Sequence, residues 1–157
     1  MTTVELALRR VYGAYPQGVV AVAGLVGGRP AGIAASSFVP VSLNPPLVSV
    51  CVAHTSSTWP LLRDLPRIGI SVLAAHQERI GRQLGSRTGD RFSGVAWRST
   101  PDGCVFIEGA AAWFGCAVER RIPAGDHDIV VFRVHDLDAG DGVTPLVFHA
   151  GRFRRLA

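Results

Sequence analysis

The side chains of this chain best suited to holding a polar ligand are hydroxyls, arginines and one turn histidine, gathered in a few short stretches. Thr55-Ser56-Ser57-Thr58 stands directly before the apolar pattern Trp59, Leu61, Leu62, Leu65. Hydroxyls at a helix start cap its free amides, and the same amides with the helix dipole can hold a phosphate; the spacing permits either. In the segment Arg87 to Phe92, Arg91 offers a planar fork for a phosphate and Phe92 a ring face. Gly125-Asp126-His127 delivers a histidine to the beginning of a strand, where it can donate a proton or hydrogen-bond a carboxamide, or simply lean on its neighbouring carboxylate. Pro145 to Phe153 places Phe148 and His149 on opposite faces of a late strand.

The stretch Ala31 to Leu47, AGIAASSFVPVSLNPPL, joins two hydroxyls, Ser36 and Ser37, to a strand ended by a stiff Pro-Pro pair. Gly32, Ala34 and Ala35 are too small to fill a core. Small side chains let a flat ligand approach the backbone, with the serines and free amides at its polar edge. A tight strand crossing in a β-barrel needs small residues as well.

Composition restricts the function classes. At 157 residues, with 48% hydrophobic and 18% charged residues, the chain reads as one soluble globular domain able to bury a proper core. No apolar run approaches the roughly 20 residues of a membrane span. The N-terminus has Glu5 early and Arg9 and Arg10 late, the reverse of a secretory signal, so a cytoplasmic location is expected. Cys51, Cys104 and Cys116 show no metal or disulfide spacing and read as small reduced hydrophobes, and the five histidines form no ligand pair, so no metal is expected. The net charge of +4 rests on 16 basic residues, all arginine. Seven of them lie from Arg63 to Arg98 against Asp64, Glu78 and Asp90, which favours anionic small molecules. A nucleic-acid function is disfavoured, because no basic run, helix-turn-helix pattern or aromatic RNA-binding strand is present.

The elements that must position these residues begin with a helix from about Val4 to Tyr12, where Thr2 and Glu5 have capping-box spacing, ended by Gly13 and Pro16. Strands follow at Gly18 to Val26, Ala31 to Leu43 and Leu47 to Val52, with turns at Gly27 to Pro30 and Asn44-Pro45-Pro46. A short helix within Ser56 to Asp64, a strand Ile68 to Ala74 and a helix Gln77 to Leu84 come next. Arg87 to Gly103 is polar and irregular, with Trp97 as a lid or packing anchor. Strands resume around Ala110 to Glu119, His127 to Asp138 and Leu146 to Phe153, separated by turns at Pro123 to Asp126 and Ala139 to Gly142. Six or more strands with two or three short helices point to a mainly β, closed barrel with helical excursions.

Taken in order, GVVAVAG, AGIAASSFVPVSLNPPLVSVCV, Ser56 with Thr58, SVLAAHQ, DRFSGV, GDH and PLVFHAGRF resemble the short-chain flavin reductase family, from about Leu6 to the end. The SSFxxVSLxPPL block is the most specific of these. The resemblance implies a split β-barrel of Greek-key type that binds FMN or FAD at a homodimer interface and reduces it with NADH or NADPH, often for a partner monooxygenase. It places Ala35, Ser36, Ser37, Cys51 and Val52 along the isoalloxazine and ribityl chain, with donors from the backbone near Ser36, Ser37, Cys51 and Val52. Ser56 and Thr58 would hold the phosphate with Arg91, Phe92 would lie near the cofactor, and His127 near the nicotinamide.

The chain departs from the family pattern at several positions. Ala34 stands where a threonine is common, Val39 and Pro40 replace a small polar pair, Ser71 replaces an asparagine, and Phe132 fills the place of a glycine. The Phe132 ring either narrows the nicotinamide side or repacks the core. Two other function classes remain open on the sequence: a flavoenzyme that keeps FMN tightly bound and acts on an organic substrate, and a noncatalytic flavin or haem carrier. A need for added free flavin in NADH oxidation argues against the first, and bleaching of a bound flavin by NADH or NADPH argues against the second.

Overall fold

The computed structural model describes residues 1–157. Its first element, α1 (Thr3–Tyr12), carries the capping box that the sequence predicts: Glu5 N–H donates to Thr2 Oγ1 at 3.1 Å, and Thr2 N–H to the Glu5 carboxylate at 2.7 Å. The helix buries none of its residues against the rest of the chain. Val4, Leu8 and Val11 recur at helical spacing and are 68%, 42% and 58% exposed, leaving an apolar stripe without a partner.

Strands β1 (Gln17–Gly18), β2 (Val20–Val26), β3 (Arg29–Ala35), β4 (Val39–Leu43) and β5 (Pro46–Ala53) follow. The β2–β3 hairpin turns on Gly27 and Gly28, both at positive φ (58° and 77°), which is what a two-residue loop of this hand demands. Helix α2 (Trp59–Leu62), β6 (Ile68–Val72), α3 (Glu78–Leu84), β7 (Trp97–Ser99), β8 (Val105–Ile107), β9 (Ala112–Ala124), β10 (His127–Ala139), β11 (Leu146–His149) and β12 (Arg152–Arg155) complete the chain.

Seven strands form one antiparallel sheet in the order β3-β2-β6-β9-β10-β5-β4. Its edges, β3 and β4, do not pair with each other, so the closed barrel expected from strand count is corrected to an open, split one. The chain itself joins the two edges through Ser36, Ser37 and Phe38. Strand β2 carries core on both faces: Val20 and Val22 belong to a cluster with Trp59, Ile70 and Phe132, while Ala21 and Ala23, with Val19 just before the strand, serve a second cluster with Leu84, Phe92, Val105 and Leu146. That double burial explains why the GVVAVAG stretch is apolar without alternation.

Four sequence expectations need correction. Ala31 to Leu43 is two strands, because the chain leaves one sheet edge and enters the other. Leu146 to Phe153 is a hairpin, turned at Ala150 (φ 52°) and Gly151 (φ 72°). Arg87 to Gly103 is not irregular throughout, since Trp97–Ser99 forms a strand, β7, paired with β8; of the two readings of Trp97 the structure keeps the packing anchor, against the second cluster. Strand β9 runs through Pro123, where a turn is expected; β6 begins at Ile68, opposite Cys116, so the far edge of β9 is unpaired beyond that point and proline forfeits no ladder bond.

Phe132 is fully buried in the first cluster, edge-on to Trp59 with ring centroids 6.2 Å apart. Its departure from the family pattern is therefore absorbed by core packing. Ser71 is also fully buried and accepts a hydrogen bond from Ile107 N–H at 3.0 Å, which ties β6 to β8. Replacing Phe132 by alanine is expected to lower unfolding stability by about 3–5 kcal/mol through the cavity it leaves; denaturant titration measures this, and a loss under about 1 kcal/mol would contradict the central packing assigned to the ring.

Candidate functional site

The break between β3 and β4 generates the site. Strand β4 pairs with β5 at Val39 opposite Ser49, and the same register carried two residues back sets Ser37 opposite Cys51. There the backbone has left the ladder and the Ser37 hydroxyl replaces it, accepting from Cys51 N–H at 2.9 Å and donating to Cys51 C=O at 3.1 Å. The hydroxyl proton of Ser37 and the amide of Cys51 are thus committed to the fold. The expectation that both serve a ligand is corrected, since neither has a donor to spare.

Beside this seam lies a cleft of about 920 Å³, within the roughly 300–1,000 Å³ of small-molecule sites. Ala34, Ala35, Ser36 and Ser37 line it from one side and Cys51, Val52 and Ala53 from another. Thr55, Ser56 and Ser57 contribute the loop after β5, and Arg87, Arg91 and His127 supply the cationic or ionisable groups. No aspartate or glutamate lines it. The main-chain N–H groups of Ser36, Ser37, Thr55 and Ser57 have no acceptor in the chain. Unpaired amides beside two guanidiniums, with no carboxylate to neutralise them, make an electropositive, donor-rich surface.

Arg91 is fixed by three acceptors. Its Nε donates to Ser86 C=O at 2.8 Å, and its Nη1 to Gly32 C=O at 3.0 Å and to Thr58 Oγ1 at 3.1 Å. The guanidinium holds together the loop after α3, strand β3 and the start of α2 while facing the cleft, and its remaining N–H groups are free. Ser56 Oγ accepts from Trp59 N–H at 3.1 Å, so capping is real, yet a hydroxyl that accepts still has its own proton to give. Helix α2 has only four residues, too short for a helix dipole to matter.

Of the residues picked out by sequence, Ala35, Ser36, Ser37, Cys51, Val52, Ser56, Arg91 and His127 are brought together around the cleft. Thr58 and Phe92 are not on its wall. Thr58 acts one step back, as acceptor for Arg91. Phe92 is buried beneath β3, where a Cβ on Gly32 would come within 3.0 Å of its ring and 2.9 Å of the Ala23 Cβ. Phe92 as a ring near the ligand is therefore corrected to a core residue, and Gly32 is small for that packing rather than for a ligand. Ala34 and Ala35 alone keep the cleft floor low. Cys51 is half-buried on the cleft wall, unlike Cys104 and Cys116, whose thiols burial pushes up, that of Cys116 to about 12.

His127 Nδ1 lies 2.7 Å from the Asp126 carboxylate, and the hydrogen bond from His127 holds Asp126 below the usual carboxylate range. Across the β5–β10 pair a second couple, His54 Nε2 and Asp128, stands at 2.8 Å. Tyr12, Tyr15, Gln17, Leu84 and Arg87 also line the cleft and were not selected by sequence.

A family model described as "Flavin reductase like domain" matches residues 12–157. The "Probable flavin reductase" of Rhizobium meliloti (strain 1021) is 40% identical over 82% of this chain, which spans only 42% of that protein's length. The "NADH-dependent FAD reductase" of Streptomyces globisporus is 37% identical over 98% of this chain and 86% of its own length. Among solved structures, a nitrilotriacetate monooxygenase component B homologue from Mycobacterium thermoresistibile superposes with a TM-score of 0.93 at 32% identity, covering 98% of this chain and 87% of that one. Split sheet, electropositive cleft and a domain match over nearly the whole length agree, and the chain belongs to the flavin reductase like domain family.

Proposed function

We propose that residues 1–157 act as one domain that binds FMN or FAD in the cleft beside the β3–β4 seam, reduces it with NADH or NADPH, and supplies the product to a partner monooxygenase. The observation that carries this reading is the donor set of the cleft: two arginines, a histidine and four unpaired amides, with no carboxylate. FMN and FAD have a phosphate, a flat ring and an electron-rich N1 and C2-carbonyl edge, each matched by something on this wall. The names of the relatives support the same reading, one as an NADH-dependent FAD reductase and another as a monooxygenase component.

The residues present fit the ligand. Ala34 and Ala35 leave a low floor on which a planar ring can lie, and the free amides of Ser36 and Ser37 stand beside it. The free amides of Thr55 and Ser57, the Ser56 hydroxyl proton and the spare N–H groups of Arg91 would take the phosphate. Thr58 acts as a positioning residue, holding the Arg91 fork in place. His127, fixed by Asp126 at the start of β10, would hydrogen-bond the carboxamide of the nicotinamide. When bound, the flavin supplies the redox chemistry by accepting hydride from the nicotinamide. The chain needs no nucleophile. Its part is to hold the two rings in contact and keep donors fixed where negative charge grows on the flavin edge.

The assembly we propose is a cytoplasmic homodimer. No helix is long and apolar enough to cross a membrane. The uncovered stripe of α1, and the edge strand β4 with Val39 and Val41 each 52% exposed and Leu43 97% exposed, give a second copy an apolar surface to cover.

Three measurements test this reading. Ser56→Ala with Thr58→Ala is expected to weaken FMN binding by about 1–3 kcal/mol while leaving riboflavin, which lacks the phosphate, unaffected; fluorescence titration with both ligands separates the two, and equal losses would remove the phosphate assignment. His127→Ala should raise the Michaelis constant for NADH more than that for flavin. If neither constant moves in steady-state assays, His127 is a turn residue only. Light scattering should give twice the chain mass, and a monomer that still binds flavin would contradict the dimer.

A further inference from the structure

Two histidine-aspartate couples stand where β5 and β10 meet, and only one of them faces the cleft. His127 lines it, with Ala53 as its partner in the register, whereas His54 and Asp128 do not. Side chains alternate along a strand. Asp128 therefore shares a face with Val130, and His54, one residue past the end of β5, continues the face of Val48, Val50 and Val52, which lines the first core cluster. The Asp126 carboxylate that orients the His127 ring is a poor anchor. Its side chain is 95% exposed and makes no other hydrogen bond, and an ion pair at such a site holds little. The turn that carries both residues is held instead by His54. Its backbone N–H donates to Asp126 C=O at 2.9 Å, one rung beyond the last pair of the ladder, and its Nε2 lies 2.8 Å from the Asp128 carboxylate. On its other side His54 leads directly into Thr55, Ser56 and Ser57, and Ser56 N–H donates to Ala53 C=O at 3.1 Å, so the loop turns back at His54.

We propose that His54 and Asp128 form a positioning couple, which holds the nicotinamide histidine in register with the loop that takes the flavin phosphate. The proposal rests on the flavin reading above and deepens it. One residue, His54, connects by main chain and side chain the loop with free amides at Thr55 and Ser57 and the turn that presents His127. Neither His54 nor Asp128 lines the cleft, so the couple acts on the ligands only through these neighbours. Asp128 is the more enclosed partner, its side chain 21% exposed against 47% for His54, and it is paired in the ladder with Val52 on the cleft wall. A residue that only orients a binding group loses affinity when removed and leaves kcat near its starting value. That separates the couple from a surface ion pair, whose removal leaves the binding of both ligands unchanged.

The test compares the intact chain with His54→Ala, Asp128→Ala, the two combined, and His54→Gln, whose side-chain amide can still donate to Asp128. The Michaelis constant for NADH and kcat are read in steady state at saturating FMN, the FMN dissociation constant by fluorescence titration, and Tm by circular dichroism. Each single alanine variant is expected to raise the NADH Michaelis constant about fivefold or more and the FMN constant about twofold, with kcat held within about twofold. The combined variant should be no worse than either single one, because the two side chains act as a unit. His54→Gln should return both constants to within about twofold of the intact chain, and His54→Ala placed on His127→Ala should add nothing to the NADH Michaelis constant. Constants that hold while Tm falls reduce the couple to a surface ion pair and overturn the proposal, as do additive losses or a His54→Gln chain that is no better than His54→Ala. If one single variant fails to fold, the other decides by the same constants. A last measurement needs no ligand: in NMR spectra of the free chain, His54→Ala should shift the His127 ring and Asp128→Ala the Thr55 and Ser57 amides, each across the strand pair, and unmoved signals overturn the couple. An intact chain that binds no FMN sinks the flavin reading, and the spectra of the free chain still decide whether the couple joins loop and turn.

Discussion

Everything distinctive in this molecule follows from one hydroxyl standing in for a backbone ladder. The sheet has seven strands and two free edges, and the chain passes from one edge to the other in three residues. A backbone that leaves a sheet abandons its hydrogen bonds, and a buried N–H or C=O left without a partner costs about 1–3 kcal/mol. Ser37 resolves this at Cys51 by bonding to both its N–H and its C=O. It does so without restoring regular pairing, and the amides of Ser36 and Ser37 remain unspent. The split in the barrel is thus also what leaves the Ser36 and Ser37 amides free on the cleft wall, because a closed ladder would have used them.

Charge is handled on the same principle of partial commitment. Arg91 uses its Nε and Nη1 to bind Ser86, Gly32 and Thr58, and so fixes three separate segments relative to each other. A lysine has three donors on a flexible stem and cannot hold three acceptors in fixed directions while still presenting charge to a cleft. The guanidinium can, since its donors diverge from a rigid plane. The excess of arginine between residues 63 and 98 reads in composition as a diffuse positive tilt; in the structure it resolves into one internal clamp, Arg91, and one free fork, Arg87, on the same cleft.

What the sequence made legible, and what it did not, divides along local and non-local physics. The capping box of α1, the glycine hairpin at 27–28 and the strand delivering His127 depend on residues within a few positions of each other, and all three are present. Eight of the ten proposed ligand residues line one cleft because the family motif keeps them in order along the chain. The failures are long-range. Gly32 looked like ligand clearance, and only the arrival of Phe92 from 60 residues downstream shows that its missing side chain makes room for a core ring. Ala150 at positive φ follows the end of β11, and Gly151 beside it is the only residue type there that favours a turn. Pro123 reads as a strand stop, and only the sheet order shows that β9 has no neighbour on its far edge there.

The departures from the family pattern sort in the same way. Phe132 and Ser71 lie fully buried, one against Trp59 and the other under Ile107 N–H, so both alter how the core is filled rather than what the cleft presents. Pro40 occupies β4, an edge strand, where its missing donor costs little. Ala34 is the exception, since it lines the cleft and removes a hydroxyl from it. That loss is small because the cleft draws its donors chiefly from main chain, at Ser36, Ser37, Thr55 and Ser57. A site built from unpaired amides tolerates side-chain change as long as the backbone path is kept. In this chain that path is held by the Ser37 hydroxyl, the Arg91 clamp and a core large enough to absorb a phenyl ring where the family has glycine.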